Sequence, residues 1–359
     1  MKIGILTFHS AYNYGAVLQA YALQKYLSLQ GHDVGIIDYN NNVLLSCYKV
    51  FDIKRVRNKN PILFLKAFAK EILCLRNRHK RKSKFENFAS QYFNLIECTE
   101  NSLKSLELIV VGSDQVWNIL LTNGFDSWYW GEVANAHNIR AISYAASMEQ
   151  YWGVENDDKA KSLLHNFNCI SVREKSLKER LLLLTDRKIT VTVDPTLLIG
   201  KKQWNEIAVK PPIEGPYIFL YQVRNSQQAF DYANRLAKKN GMRLVCVSAR
   251  VNALNTKGFG AISPAEFIGL IKYASIVIAC SFHGVVFSVL FQKKFIALKL
   301  GDGRDSRYVD FIKSIGLAST LKNLHEVGED SNAPEYSAVS GDLKRMVNES
   351  KKWLKESVI

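Results

Sequence analysis

At 359 residues the chain is too long for one ordinary hydrophobic core, so two domains are expected. It is 47% apolar, 23% charged and 11% aromatic, which excludes a disordered chain, and its six scattered cysteines lack any C-x-x-C pairing, which argues against a disulfide framework and a zinc site. The net charge of +15 is local: Lys54 to Lys84 holds twelve Lys or Arg against the single acid Glu71, leaving only about +4 elsewhere, so one basic patch is expected rather than a uniformly basic nucleic-acid binder.

The start, "MKIGILTF", reads as a first strand and is too short in apolar residues for a signal peptide. "NYGAVLQAYALQKYLSLQG" follows as a helix with Ala20, Leu23 and Leu27 on one stripe and Gly31 as its stop, and "HDVGIIDYN" is a second strand. The chain thus opens as a β-α-β unit. Past the basic insertion, "LELIVVGSD", "AISYAAS", "CISVRE" and "ITVTVDPTLL" are short strands of the buried type, with a helix around 157–167. Apolar runs alternating with helices predict a parallel sheet covered on both faces.

"KPPIEGP", Lys210 to Pro216, is the clearest boundary, with three prolines and a glycine. Beyond it come "YIFLYQV", a helix over about 226–239, "RLVCVSA", and a helix opening at "SPAEFIGLIKYA" with Ser263 as N-cap and Pro264 at its first position. "SIVIAC", a further helix and "KFIALKL" follow. "DLKRMVNESKKWLKES" is amphipathic through Leu343, Met346, Val347, Trp353 and Leu354. The expected organisation is α/β: an N-terminal domain over 1–210 with a basic amphipathic insertion at about 50–90, a hinge at 211–216, a C-terminal domain over 217–340, and a final helix over 341–359 free to cross back. Both domains are expected to be doubly wound and Rossmann-like, facing across a cleft, with ligands at the carboxyl ends of strands. No run approaches the roughly 20 apolar residues of a membrane span, so a cytoplasmic protein, or one held peripherally on the inner face of the membrane, is expected.

Polar clusters fall at the predicted strand ends: "HSAYNYG", "GSDQVWN" and "VREKS" in the first half, "SARVN" and "CSFHG" in the second. Taken alone, Arg173 could be a surface residue and Asp114 a helix cap or turn residue. His283 is the sharper case. It precedes Gly284 and a helix whose N-terminal amides suit a phosphate or carboxylate, and Gly284 would let a ligand approach the backbone. The bland alternative is a core histidine satisfied by one hydrogen bond.

"TFHSAYNYGAVLQAYALQKYL", "VVGSDQVWN", "SVREKS", "VDPTLLI", "SFHGVVFSVLFQKKFIAL" and "SRYVDFIKSIGL" occur in this order from about residue 3 to 318. In this the chain resembles the polysaccharide pyruvyltransferase family. The resemblance implies a fold like that of two-domain (GT-B) glycosyltransferases. It also implies phosphoenolpyruvate as donor, a sugar hydroxyl pair of a surface glycan or its lipid-linked precursor as acceptor, a cyclic pyruvate ketal as product, and no metal or cofactor. It places His283 in the donor pocket as the proton-moving group and Arg173 on a donor anion, with Asp114 a base or orienting group for the acceptor. Asn13, Gly15, Ser113, Ser281, Phe282, Gly284 and Arg307 stand in the matching blocks as substrate-binding candidates. Family members often carry Ser-Arg-x-His, and here Ser281 stands at the arginine's place; Arg307, Arg304 or Arg250 would have to supply the charge.

A donor with a phosphate and a carboxylate calls for planar guanidinium forks, which bind either anion in a bidentate manner. A histidine titrating near neutral pH can serve as acid or base. A nucleotide-sugar glycosyltransferase would share the architecture, but no diphosphate loop or ribose-binding acid is evident. A nucleic-acid-binding protein would need aromatics interleaved with the basic residues, and these are lacking. In the insertion, Leu65, Phe68, Ile72 and Leu75 recur at helical spacing beside Lys66, Lys70 and Arg76. The bland reading packs this helix on the first domain; the functional one lays it on an anionic membrane surface.

Overall fold

The computed structural model describes residues 1–52, 56–57, 60–149, 152–249, 251, 259–301, 303–324 and 334–359. These form two compact units. The first comprises Met1–Tyr48, Ser90–Ile199 and Leu343–Ile359, the second Lys49–Ala89 and Gly200–Asp342.

The first unit holds a seven-stranded sheet of β1 (Lys2–Leu6), β2 (Asp33–Ile37), β3 (Leu95–Ile96), β4 (Leu108–Asp114), β5 (Arg140–Ala146), β6 (Cys169–Val172) and β7 (Ile189–Val191). The spatial order is β3-β2-β1-β4-β5-β6-β7, every pair parallel. β1 and β4 are buried along nearly their whole length, as strands covered on both faces must be. Each fully buried Val, Ile or Leu contributes about 1.5–3 kcal/mol. On one side lie Trp117 and Trp130, stacked at 4.8 Å, with Phe167 and Trp152 around them. The predicted first helix spans Tyr14–Leu29 and gives way at Gly31, whose φ of 87° suits glycine.

The second unit holds β8 (Tyr217–Gln222), β9 (Arg243–Ser248), β10 (Ile276–Ala279), β11 (Phe295–Lys299) and β12 (Leu321–Asn323) in the order β12-β11-β10-β8-β9, again all parallel. The helix Pro264–Tyr273 starts on a capping box between Ser263 and Glu266 with Pro264 in its first turn, as its sequence predicts. The fold class is therefore α/β with two doubly wound, Rossmann-like sheets.

Three details differ from the sequence reading. The units divide between Ile199 and Gly200 rather than at 211–216. The intervening residues are bound into the second unit: Trp204 packs edge-on to Phe287 at 4.9 Å, and the Val209 N–H donates to the Ala265 carbonyl. That approach requires Gly269, since a Cβ there would lie 1.7 Å from the Val209 oxygen. Secondly, the basic helix, Pro61–Tyr92, has its residues up to Ala89 in the second unit rather than the first. Finally, the C-terminal helix starts earlier than expected, at Tyr336 rather than 341, and runs to Val358; its residues from Leu343 onward belong to the first unit. There Ser350 Oγ accepts from the Val193 N–H at 2.9 Å, and Arg140 donates to the carbonyls of Ser357, Val358 and Ile359.

Candidate functional site

In a doubly wound sheet the ligand crevice opens where the strand order reverses, outside the carboxyl ends. The first unit reverses between β1 and β4, and the second between β8 and β10.

After β1 the chain runs through Thr7 and His9, both buried, to Asn13, whose side chain caps the helix Tyr14–Leu29 by accepting from Gly15 N–H at 3.0 Å and Ala16 N–H at 3.5 Å. His9 contacts Asp38 at the end of β2, Nε2 to Oδ1 3.1 Å. The hydrogen bond from His9 is the main cause that holds the Asp38 carboxyl below its ordinary range. β4 ends in Gly112, Ser113 and Asp114. Ser113 is fully buried; its hydroxyl donates to the Ala145 carbonyl at 2.8 Å, and its own carbonyl accepts from Thr7 Oγ1 at 2.9 Å. Only glycine fits at 112, because a Cβ would stand 2.3 Å from the Tyr144 oxygen. Asp114 is left-handed, φ 72°, and its carbonyl accepts from Ser147 N–H at 2.9 Å. Its half-exposed carboxylate accepts no hydrogen bond among the described residues.

Arg173 follows β6, off the switch point. Its side chain is 3% exposed, and its fork is committed. Nη1 donates to Asp194 at 2.8 Å, Nε to Glu174 at 3.0 Å and Nη2 to Ser147 Oγ at 2.7 Å. Burial disfavours its charge, but Glu174, Asp194 and Asp114 outweigh that and raise its pKa. Asp194 in turn accepts from the Thr196 N–H and hydroxyl. Arg173 is neither the surface residue of the bland reading nor a guanidinium presented to an anion. It ties the ends of β5, β6 and β7 together.

In the second unit, β10 runs into Cys280 and Ser281, and the Ser281 hydroxyl caps the helix Phe282–Leu290 by accepting from Gly284 N–H at 3.3 Å. The residue at the family arginine's place is thus the helix cap. Phe282 is buried against Phe311 at 5.8 Å, and His283 in the first turn is half-buried, its ring edge-on to Phe282 at 5.3 Å. Gly284 does not serve as an opening for a ligand. A Cβ there would meet Ser281 Oγ at 3.0 Å, Ala279 Cβ at 3.1 Å and Tyr221 Cδ1 at 3.2 Å, so the glycine lets the helix sit close on the sheet.

On the other side of this switch point, β8 leads to Arg224, which the sequence reading passed over. Arg224 Nη2 donates to Asp305 Oδ1 at 2.6 Å, and Asp305 also accepts from Gly301 N–H at 2.9 Å and the Tyr308 hydroxyl at 2.7 Å. Burial raises the Cys280 thiol to about 12, and the Arg224 charge acts against this. Arg307 is half-buried in the first turn of the helix Ser306–Ser314, and Arg304 is exposed just before it. Arg250 lies outside the described residues.

The structure therefore gathers Ser281, His283 and Arg224 at one switch point, and Asn13, Ser113 and Asp114 at the other. His9–Asp38 and Arg224–Asp305 were missed because each pair joins loops far apart in sequence. Among the described residues no group of three or more His, Cys, Asp or Glu is placed to hold a metal ion.

The fold is similar to that of a protein described as a UDP-N-acetylglucosamine 2-epimerase from Listeria monocytogenes, with TM-score 0.50, 11% identity, and 99% of this chain and 89% of that chain covered. Weaker likenesses are to UDP-GlcNAc 2-epimerase from Neisseria meningitidis (TM-score 0.46, 14% identity, 100% and 94% covered) and to MurG from Acinetobacter baumannii (0.40, 11%, 98% and 99%). No curated protein matches the sequence. The family model described as polysaccharide pyruvyl transferase matches residues 13–301, most of both units, and the chain belongs to that family.

Proposed function

We propose that the protein transfers pyruvate from phosphoenolpyruvate to a pair of hydroxyls on a sugar of a surface polysaccharide or its lipid-linked precursor, forming a cyclic ketal. The observation that carries this reading, beyond family membership, is that His283 and a guanidinium, Arg224, follow the two strands, β10 and β8, that flank the switch point of the second sheet. A phosphoenolpyruvate-sized dianion needs fixed positive charge and oriented N–H groups. Arg224, oriented by Asp305, is the arginine we assign to the charge that Ser281 lacks, with Arg307, in the helix Ser306–Ser314 that follows Asp305, as a second candidate.

In the first step a sugar hydroxyl oxygen bonds to C2 of the donor while protonated His283 gives a proton to C3, turning the methylene into a methyl group, and the hydroxyl's own proton passes to the phosphate. In the second step the C2–O bond to phosphate breaks, inorganic phosphate leaves with that proton, and the second hydroxyl oxygen bonds to C2 as its proton passes to His283, restoring the imidazolium. His283 delivers the first proton and removes the second, general acid–base assistance of about 10²–10⁴-fold. Asp114, whose carboxylate accepts no hydrogen bond among the described residues, is the candidate for orienting the acceptor.

The test is turnover in D₂O with candidate lipid-linked glycans. The ketal methyl should carry one solvent deuterium, with one phosphate released per pyruvate transferred. Product formed from a nucleotide sugar, with phosphoenolpyruvate untouched, would overturn the reading.

A further inference from the structure

The helix Pro61–Tyr92 turns its oily stripe away from the protein. Its buried side is formed by Glu71, Cys74, Arg81, Phe85 and Phe88. Three basic residues, Arg78, Arg81 and Lys84, hold that side down. Arg78 pairs with Glu71 and donates to the Val50 carbonyl at 3.1 Å. Arg81 Nη1 donates to the Ser248 carbonyl at 3.0 Å, and Lys84 donates to both oxygens of Glu266 at 2.7 and 2.6 Å. These bonds set the roll of the helix.

With the roll set, positions 62, 65, 69, 72, 73 and 76 share the outward face by helical spacing. Ile62, Leu65 and Leu73 are 64%, 63% and 71% exposed, and Ile72, Leu63, Phe64 and Phe68 are exposed beside them. A contiguous patch of large apolar side chains on this scale marks a surface that meets a partner. Its rim is cationic throughout: Lys66, Lys70, Arg76 and Lys80 are exposed, and the one acid between residues 61 and 84, Glu71, is buried against Arg78. A second copy of the same face would bring like charges together. No helix among the described residues is long and apolar enough to cross a membrane, so this one can only lie on it.

We propose that this face is a membrane-docking surface, with Ile62, Leu65, Ile72 and Leu73 entering the headgroup–acyl boundary of an anionic bilayer and the four exposed cations resting among the headgroups. Such a helix is held by buried apolar area together with electrostatic attraction, so binding requires both anionic lipid and the apolar face. The proposal stands whatever the donor of the reaction is.

Flotation of the full chain with phosphatidylcholine vesicles, with and without phosphatidylglycerol, tests it. The protein should float with the anionic vesicles and be released by high salt. Leu65→Glu/Leu73→Glu and Lys66→Glu/Lys70→Glu, all at exposed positions, should each cut bound protein by at least about tenfold while keeping the parent melting temperature. Equal flotation on phosphatidylcholine alone, or no flotation on either, overturns the proposal. So does a concentration-dependent dimer abolished by Leu65→Glu/Leu73→Glu, which would give the face to a second copy.

Discussion

Arg173 donates from Nη1 to Asp194 Oδ2 at 2.8 Å with side chains 3% and 0% exposed, joining residues that follow two adjacent strands. Removing one partner of a buried pair leaves an uncompensated charge, typically a loss of 3–5 kcal/mol. Arg173→Met, which strands Asp194 and Glu174, should lose about that much in urea denaturation. Arg173→Lys keeps the charge but loses the fork, and should fall between the two. A residue that only bound donor anion would leave stability unchanged and raise the donor KM.

Asp305 gives a pH-dependent counterpart. Burial pushes its carboxyl up, but hydrogen bonds from Tyr308, Gly301 and Arg224 outweigh this and hold it below its ordinary value. A depressed native pKa adds stability that is complete above the unfolded value of about 3.9 and is lost as pH falls through the native one. Asp305→Asn should therefore be less stable at pH 7 and show a shallower decline below about pH 4, measured as urea midpoints across that range.

Gly284→Ala should destabilise by about 1–3 kcal/mol, because the new methyl must displace Ser281 Oγ, Ala279 or Tyr221 in a closely packed helix–sheet contact. The check is a lowered melting temperature with the donor KM little changed. A role in admitting the ligand to the backbone predicts the opposite pattern.

These residues show which parts of the structure the sequence made legible. Strands, helices and the capping box at Ser263 follow from local periodicity and turn chemistry, and the switch points follow from strand order. The committed fork of Arg173 did not, because it depends on the register that sets Val172 beside Val191, a long-range fact. Likewise, the stripe of Leu65, Phe68 and Ile72 is plain in the sequence, but whether it faces in or out is decided by Arg81 and Lys84 reaching Ser248 and Glu266 far along the chain. Arg224 was overlooked for the same reason: its meaning comes from Asp305.

Arg224→Lys should raise the donor KM by roughly 10–100-fold, the worth of one charge-assisted hydrogen bond to an anion, and leave the acceptor KM unchanged. Equal effects on both constants would make Arg224 a scaffold for the Gly301–Asp305 loop instead.

The central claim, that His283 moves the protons of pyruvyl transfer, is tested most directly by His283→Ala. Transfer of labelled pyruvate from phosphoenolpyruvate to a lipid-linked glycan is measured beside the parent, with melting curves for both. His283 is half-buried in the first turn of its helix, so the variant should retain a cooperative melt near the parent's while kcat falls about 10²–10⁴-fold. A variant that turns over within a few-fold of the parent, or one that loses activity only because it no longer folds, would contradict the account.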